Sequence, residues 1–312
     1  MIVSRYDHPP YTPNHGVTRC LQTPSNIFRT CEGGHDTPMN PDDVFASTSL
    51  AADVALAITG DTGATVRVGY RYLTGSAGVI DIVEARRYFG LVAARCRGAS
   101  AWLAYIDIRQ TDDERLLRGG VDQLQNTAAA GNAMGQTLLG RVYERGLGGC
   151  HADPAQAVTL YRAAAPRFSL AKTYLGQALR NAHKHREAIA LFEEAAVAGE
   201  TNAMLELAVL HVRSRGGRPQ IVEAKRLLRM ASERGGRLAQ YRLAAMYRDG
   251  IGGASAGAPH RAFNLFHLSA RLGYRPAQVA LAAAYASGAG VAANPRLAAC
   301  WLEKLRRDHH RR

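Results

Sequence analysis

Ala133-Met134, followed three residues later by Leu138-Leu139-Gly140-Arg141-Val142-Tyr143, is the stretch that decides the fold, because it returns along the chain. It comes back as Ala239-Gln240 with Leu243-Ala244-Ala245-Met246-Tyr247, and as Ala277-Gln278 with Leu281-Ala282-Ala283-Ala284-Tyr285. In each copy an apolar residue directly before a small one, and an aromatic three after it, share one helical face. The small residue itself recurs as Gly69, Ala104, Gly140, Gly176, Ala208, Ala244 and Ala282, at intervals of 35, 36, 36, 32, 36 and 38 residues. A period of this length marks stacked units, each too small to bury its own apolar face.

A second small residue follows in most units, at Ala85, Ala157, Ala188, Ala224, Ala262 and Ala298. Four residues beyond it stands a large apolar group: Phe89, Tyr161, Phe192, Leu228, Phe266 and Leu302. The i,i+4 spacing puts each pair on one stripe of a second helix. Pro154, Pro219, Pro259 and Pro295 mark the starts of these second helices, where a missing N–H costs little. Asp153 and Asn294 are placed as N-caps, and Gly199, Gly235 and Gly273 as C′ residues. The unit is helix, loop, antiparallel helix, short turn. The expected fold is all-α, a solenoid of about seven such repeats.

The gap between the two small residues is 12 in the fourth unit, as in a plain tetratricopeptide repeat, and 16 to 18 in the others that can be phased. The extra residues fall in Gly-rich loops, such as Gly146-Leu147-Gly148-Gly149, Gly250-Ile251-Gly252-Gly253 and Gly288-Ala289-Gly290-Val291. Leu139-Gly140-x-x-Tyr143-x-x-Gly146-x-Gly148, then Asp153, Ala157, Tyr161 and Ala163-Ala164, closely resembles the Sel-1-like repeat, a tetratricopeptide variant with a longer internal loop. The resemblance is strong in units three, six and seven, fair in one, four and five, and poor in two, where Val121 replaces the second alanine. It implies an α-solenoid serving as an adaptor or scaffold, often in bacterial envelope, secretion or signalling assemblies, with no single chemistry attached.

The expected organisation is a disordered or loosely docked tail over 1–44, a capping helix in 45–62, repeats over 63–305 and a basic tail over 306–312. Six prolines and Gly33-Gly34 break any helix in the first segment. Ser47–Thr59 reads as the capping helix.

The net charge of +13 points towards acidic partners. Only four of the 39 basic residues are lysine, however, a usage that fits a GC-rich genome and weakens the case for nucleic acid. Five cysteines at irregular spacing describe no disulfide framework. A cysteine-rich secreted branch of the Sel-1-like family carries a cysteine pair in each repeat; those pairs are missing here, so that branch and its hydrolase-like activity are disfavoured. Met1 to Pro13 shows no basic segment followed by an apolar one. No window approaches the roughly eighteen uninterrupted apolar residues of a membrane span. The expected compartment is the cytoplasm, with periplasm or export as the alternative if the start is misassigned or export needs no cleaved signal.

Two patterns invite chemistry and are set aside. His15, Cys20, Cys31 and His35 could offer four zinc ligands, but their separations of four, ten and three residues match no common finger. Gly253-Ala254-Ser255-Ala256-Gly257 matches G-x-S-x-G, a motif that needs a strand before the serine; here a repeat helix precedes it. No P-loop, H-E-x-x-H or strand-linked G-x-G-x-x-G is present. No catalytic residue, cofactor or metal is expected.

In tetratricopeptide-like stacks the first helices line the concave side. Counting from each small residue predicts a groove that includes Tyr70, Tyr105, Arg109, Arg141, Arg145, Arg180, Val209, Arg213, Tyr241, Arg248 and Asp249. Arg109, Arg145, Arg180, Arg213 and Arg248 fall four or five residues after the small position in five successive units. Such a ladder of guanidiniums could hold carboxylates. It could equally favour helix C-terminal dipoles. The expected function is a non-enzymatic adaptor holding an acidic or extended segment of a partner protein. The alternatives are a nucleic-acid-binding repeat protein, disfavoured by the lack of lysines and of base-reading pairs, and a polysaccharide-export scaffold.

Overall fold

The computed structural model describes residues 44, 48–212, 220–253 and 257–310 of the 312-residue chain. Among them are fifteen α-helices. A short helix, α1 (Leu50–Ile58), precedes seven helical hairpins: α2 (Thr62–Thr74) with α3 (Ile82–Val92), α4 (Arg97–Gln110) with α5 (Glu114–Ala129), and α6 (Ala133–Arg145) with α7 (Pro154–Ala164). They continue with α8 (Ser169–Asn181) and α9 (His185–Val197), α10 (Thr201–Val212) and α11 (Ile221–Glu233), α12 (Arg237–Arg248) and α13 (Ala258–Arg271), and α14 (Arg275–Ser287) and α15 (Pro295–His310). The seven hairpins are the seven units of the sequence, and no strand occurs among the described residues. Most of the proposed tail, with His15, Cys20, Cys31 and His35, lies outside the described residues, as do Arg213, Pro219 and Ser255. The boundary expected at residue 305 falls inside α15, which continues to His310.

Hairpins one, three and four are locked by the two positions the period exposes. A Cβ placed on Gly69 would lie 2.8 Å from the Phe89 ring, one on Gly140 2.5 Å from the Tyr161 ring, and one on Gly176 2.6 Å from the Phe192 ring. The small residue of the first helix is therefore the socket for the large residue of the second. Phe89, Tyr161 and Phe192 are fully buried there, and Phe266 is 3% exposed. Leu302, at the same register in α15, is 53% exposed, since no further repeat covers it among the described residues. In unit two the lock is inverted: Gly120 on α5 receives Ile108 from α4, with a would-be Cβ 2.8 Å from the isoleucine Cγ1. That inversion is why the second unit reads poorly in sequence.

Caps end the helices where composition places them. Asp153 accepts from the Gln156 N–H at 2.9 Å and Asn294 from that of Leu297 at 3.1 Å. The internal loops pack on the preceding unit: a Cβ on Gly148 would meet Val121 of α5 at 2.7 Å, and one on Gly252 would meet Ile221 of α11 at 2.6 Å. The second loop glycine is thus a stacking contact between repeats as well as a turn residue.

One cap carries a cost. Glu200 precedes α10 and is fully buried. It accepts from Ala203 N–H at 2.7 Å, from Asn202 N–H at 3.1 Å, from the Asn202 amide at 2.8 Å and from the Thr173 hydroxyl at 2.8 Å, the last tying α8 to α10. Burial nonetheless raises its pKa, and these hydrogen bonds only partly offset that rise.

Two outcomes are expected. Gly140→Ala should lower the unfolding free energy by ~1–3 kcal/mol through overpacking against a tyrosine held in place. Gly90→Ala, on an exposed face of α3 where a Cβ meets nothing within 4 Å, should raise it by ~0.5–1 kcal/mol. Denaturant melts giving both variants the same sign would refute the socket. For Glu200, the folded-state pKa lies above the ordinary 4.5, so the native state binds the proton more tightly than the unfolded one. Its stabilising contribution is full below that value and declines as pH rises through the raised one. Stability–pH curves of wild type and Glu200→Gln should diverge over that window, the wild type losing ground; parallel curves would contradict the assignment.

Candidate functional site

The first helices bring the side chains at the counted groove positions together in two different ways. On α2, α4, α6 and α8 they form an interlocked wall. Tyr70 is buried, its ring tilted against Trp102 at 5.5 Å, and Trp102 in turn meets Tyr105 edge-on at 6.3 Å. The Arg141 guanidinium lies 4.4 Å from the Tyr174 ring centroid and bonds Glu144 at 2.6 Å. Glu144 also accepts the Tyr161 hydroxyl at 2.8 Å. Burial, reinforced by the Glu144 carboxylate, pushes the Tyr161 phenol far above the usual tyrosine range, and burial does the same at Tyr174. Both rings therefore stay neutral. This wall is lined by contacts among the protein's own side chains, with the Trp102 Nε1 and the Arg141 Nε buried and without a hydrogen-bond partner among the described residues.

The arginine ladder divides along the same logic. Arg180 pairs with Glu206 of α10, which also accepts from Gln177 at 2.9 Å. Arg248 pairs with Asp249 at 2.7 Å and lies over the Phe266 ring at 5.8 Å. Hydrogen bonding to Arg248 holds the Asp249 carboxyl below its ordinary range. Arg109 lies over Tyr105 at 5.9 Å, and neither it nor Arg145 has a carboxylate partner among the described residues; both are exposed. The sequence reading treats the five guanidiniums as equivalent. Among the four described, two are neutralised: Arg180 by Glu206, which the repeat counting does not place, and Arg248 by its neighbour Asp249.

Further along, α10 and α12 separate to leave a cleft of about 200 Å³. Ala208, Leu228, Met246 and Ile251 give it an apolar lining; Val209, Val212, Tyr241 and Ala245 contribute from the two first helices; Arg242 and Asp249 add charge. Tyr241 is braced by Phe266 at 5.6 Å and Tyr274 at 5.1 Å. Val209, Tyr241 and Asp249 are groove positions by sequence counting, whereas Arg242, two before the small residue, and Ile251, from the loop, are not. Arg242 is exposed and has no ion-pair partner among the described residues. A space of this size admits one or two apolar side chains.

Among the described residues no group of three or more His, Cys, Asp or Glu side chains could hold a metal. The helix α12, not a strand, leads into the Gly253–Gly257 segment. No described helix is long and apolar enough to cross a membrane.

Comparison with known proteins gives a consistent result. The Sel1 repeat profile matches residues 63–94, 133–165, 201–236, 237–274 and 275–307, which are units one, three, five, six and seven. No curated protein matches the chain. Among solved structures, c5321, a protective antigen present in uropathogenic Escherichia coli strains with an SLR fold, is 24% identical with a TM-score of 0.56. That alignment covers 82% of this chain but only 56% of c5321. A Sel1 repeat protein from Oxalobacter formigenes is 22% identical, with a TM-score of 0.56, over 77% of this chain and 96% of that one. The immunity protein Pa5087 from Pseudomonas aeruginosa is 17% identical, with a TM-score of 0.50, over 67% of this chain and 82% of its own. At these identities the likeness is one of fold. The seven stacked hairpins, the glycine loops between them and the five profile matches together make the chain a member of the Sel1 repeat family.

Proposed function

We propose that the protein is a non-enzymatic interaction scaffold that holds a segment of a partner protein on the concave side of its later repeats. Sel1 repeats generally mediate protein–protein interaction. The single observation that carries the finer reading is the α10–α12 cleft, open and apolar at positions the repeat assigns to the groove. Elsewhere on the concave side the same register is filled by the protein's own Tyr70, Trp102 and Arg141.

Charge favours an acidic or extended segment. The carboxylates Glu144, Glu206 and Asp249 are each already paired with an arginine, leaving Arg109, Arg145 and Arg242 without acidic partners among the described residues. A peptide supplying one apolar anchor and nearby carboxylates would satisfy both features. An immunity protein among the structural neighbours is compatible with a protein partner, although that likeness extends only to fold.

The test is quantitative capture from the native host, with the recovered protein identified by mass spectrometry and its affinity measured. Val209→Asp with Tyr241→Ala should weaken that complex at least tenfold with helicity retained at the assay temperature, the lost Tyr241 contacts with Phe266 and Tyr274 lowering only the melting midpoint. Arg242→Glu should weaken it and reduce its salt dependence. Undiminished binding by the double variant would remove the cleft from the account, and salt-sensitive capture of random oligonucleotides would favour nucleic acid instead.

A further inference from the structure

The first repeat touches more than its neighbour in sequence. Its loop, Gly75 to Gly78, reaches the α11–α12 turn: a Cβ on Gly235 would lie 2.7 Å from the Ser76 Cα and 3.3 Å from the Gly75 carbonyl oxygen. A Cβ on Gly75 would lie 3.0 Å from Leu272, just beyond α13. On repeat five this is backbone laid on backbone, and on repeat six the loop backbone meets the Leu272 side chain. On the inner side Tyr70 feels the charge of Glu200, at the start of α10.

The touch is narrow. One cavity of about 420 Å³ opens beside it between the loop and the α11–α13 side, lined by Gly78, Ser232, Gln240 and Arg271. Another of about 420 Å³ lies where Tyr70 and Arg71 face Thr201 and Arg234. A contact flanked by open space on both sides contributes little packing.

We infer that the first-repeat loop is a clasp: seated on Gly235 and Leu272, it holds the concave wall of the early repeats closed, and its release exposes that wall. This proposal adds a regulation of the groove and, for its bearing on partner binding, rests on the reading above. Its test needs no partner, so the two can fail separately.

Two glycines make the experiment clean. Gly235 and Gly273 each follow a second helix in the left-handed region, with φ of 81° and 74°. A Cβ on Gly273 meets nothing within 4 Å, whereas one on Gly235 strikes the clasp. Alanine at either site therefore carries a similar backbone strain, and only Gly235→Ala displaces the loop. Trp102, 4% exposed beneath Tyr70, reports on the wall once Trp301→Phe removes the other tryptophan. In that background, Gly235→Ala should raise acrylamide quenching of Trp102 at least twofold and speed amide exchange at 75–78 at least tenfold, with helicity retained. Gly273→Ala should leave both at the parent values. Leu272→Ala, which removes the seat without adding bulk or strain, should move both readouts in the same direction as Gly235→Ala and keeps the test decisive if that variant fails to fold. Equal behaviour of Gly235→Ala and Gly273→Ala, or no response to Leu272→Ala, overturns the clasp.

Discussion

The structure depends on a socket. Where two antiparallel helices cross, one must present a residue small enough to let the other seat a large one, and the pairs Gly69 with Phe89, Gly140 with Tyr161 and Gly176 with Phe192 do this with no room to spare. Once the socket is set, the crossing of each hairpin is fixed, and the Gly-rich loop lays its second glycine on the preceding unit. Repetition then extends a local fit into buried clusters that run along the repeats. Partner surface, internal contacts and regulation all follow from how those clusters are built.

The small-to-small period, the caps and the C′ glycines are local, and so they were legible: Asp153, Asn294, Gly199, Gly235 and Gly273 all occupy the roles their residue types suggest. Unit two was harder, because its socket moved to Gly120 on the second helix, and the period alone does not say which helix carries the small residue. The groove was legible only in part. Counting positions found Tyr241, Val209 and Asp249, but it could not see that Glu206 reaches across from α10 to occupy Arg180, or that Arg141 is spent on Glu144 and Tyr174. Those are contacts between helices whose side chains follow no repeat rule. The approach of the first repeat to the fifth and sixth was invisible for the same reason, being a consequence of accumulated crossing angles rather than of any motif.

The first-helix side therefore has two characters. Its early part is a wall of neutral phenols, an indole and a paired guanidinium packed on one another. Its later part keeps an apolar cleft and, in Arg242, an arginine without an ion-pair partner among the described residues. A scaffold built in this way separates stability from recognition along one surface: residues that hold the stack are used up by each other, and those left over are free to meet another chain.

The socket itself is tested most directly by a double-mutant cycle between Gly176 and Phe192. Gly176→Ala alone overpacks the ring, and Phe192→Leu alone leaves space; combined, the added methyl should occupy part of what the ring vacates. The account predicts a favourable coupling on the order of 1 kcal/mol, so that the double variant unfolds at higher denaturant than the sum of the single losses implies. Strict additivity would mean that the two residues do not share a packing site, and the explanation of the repeat would fail with it.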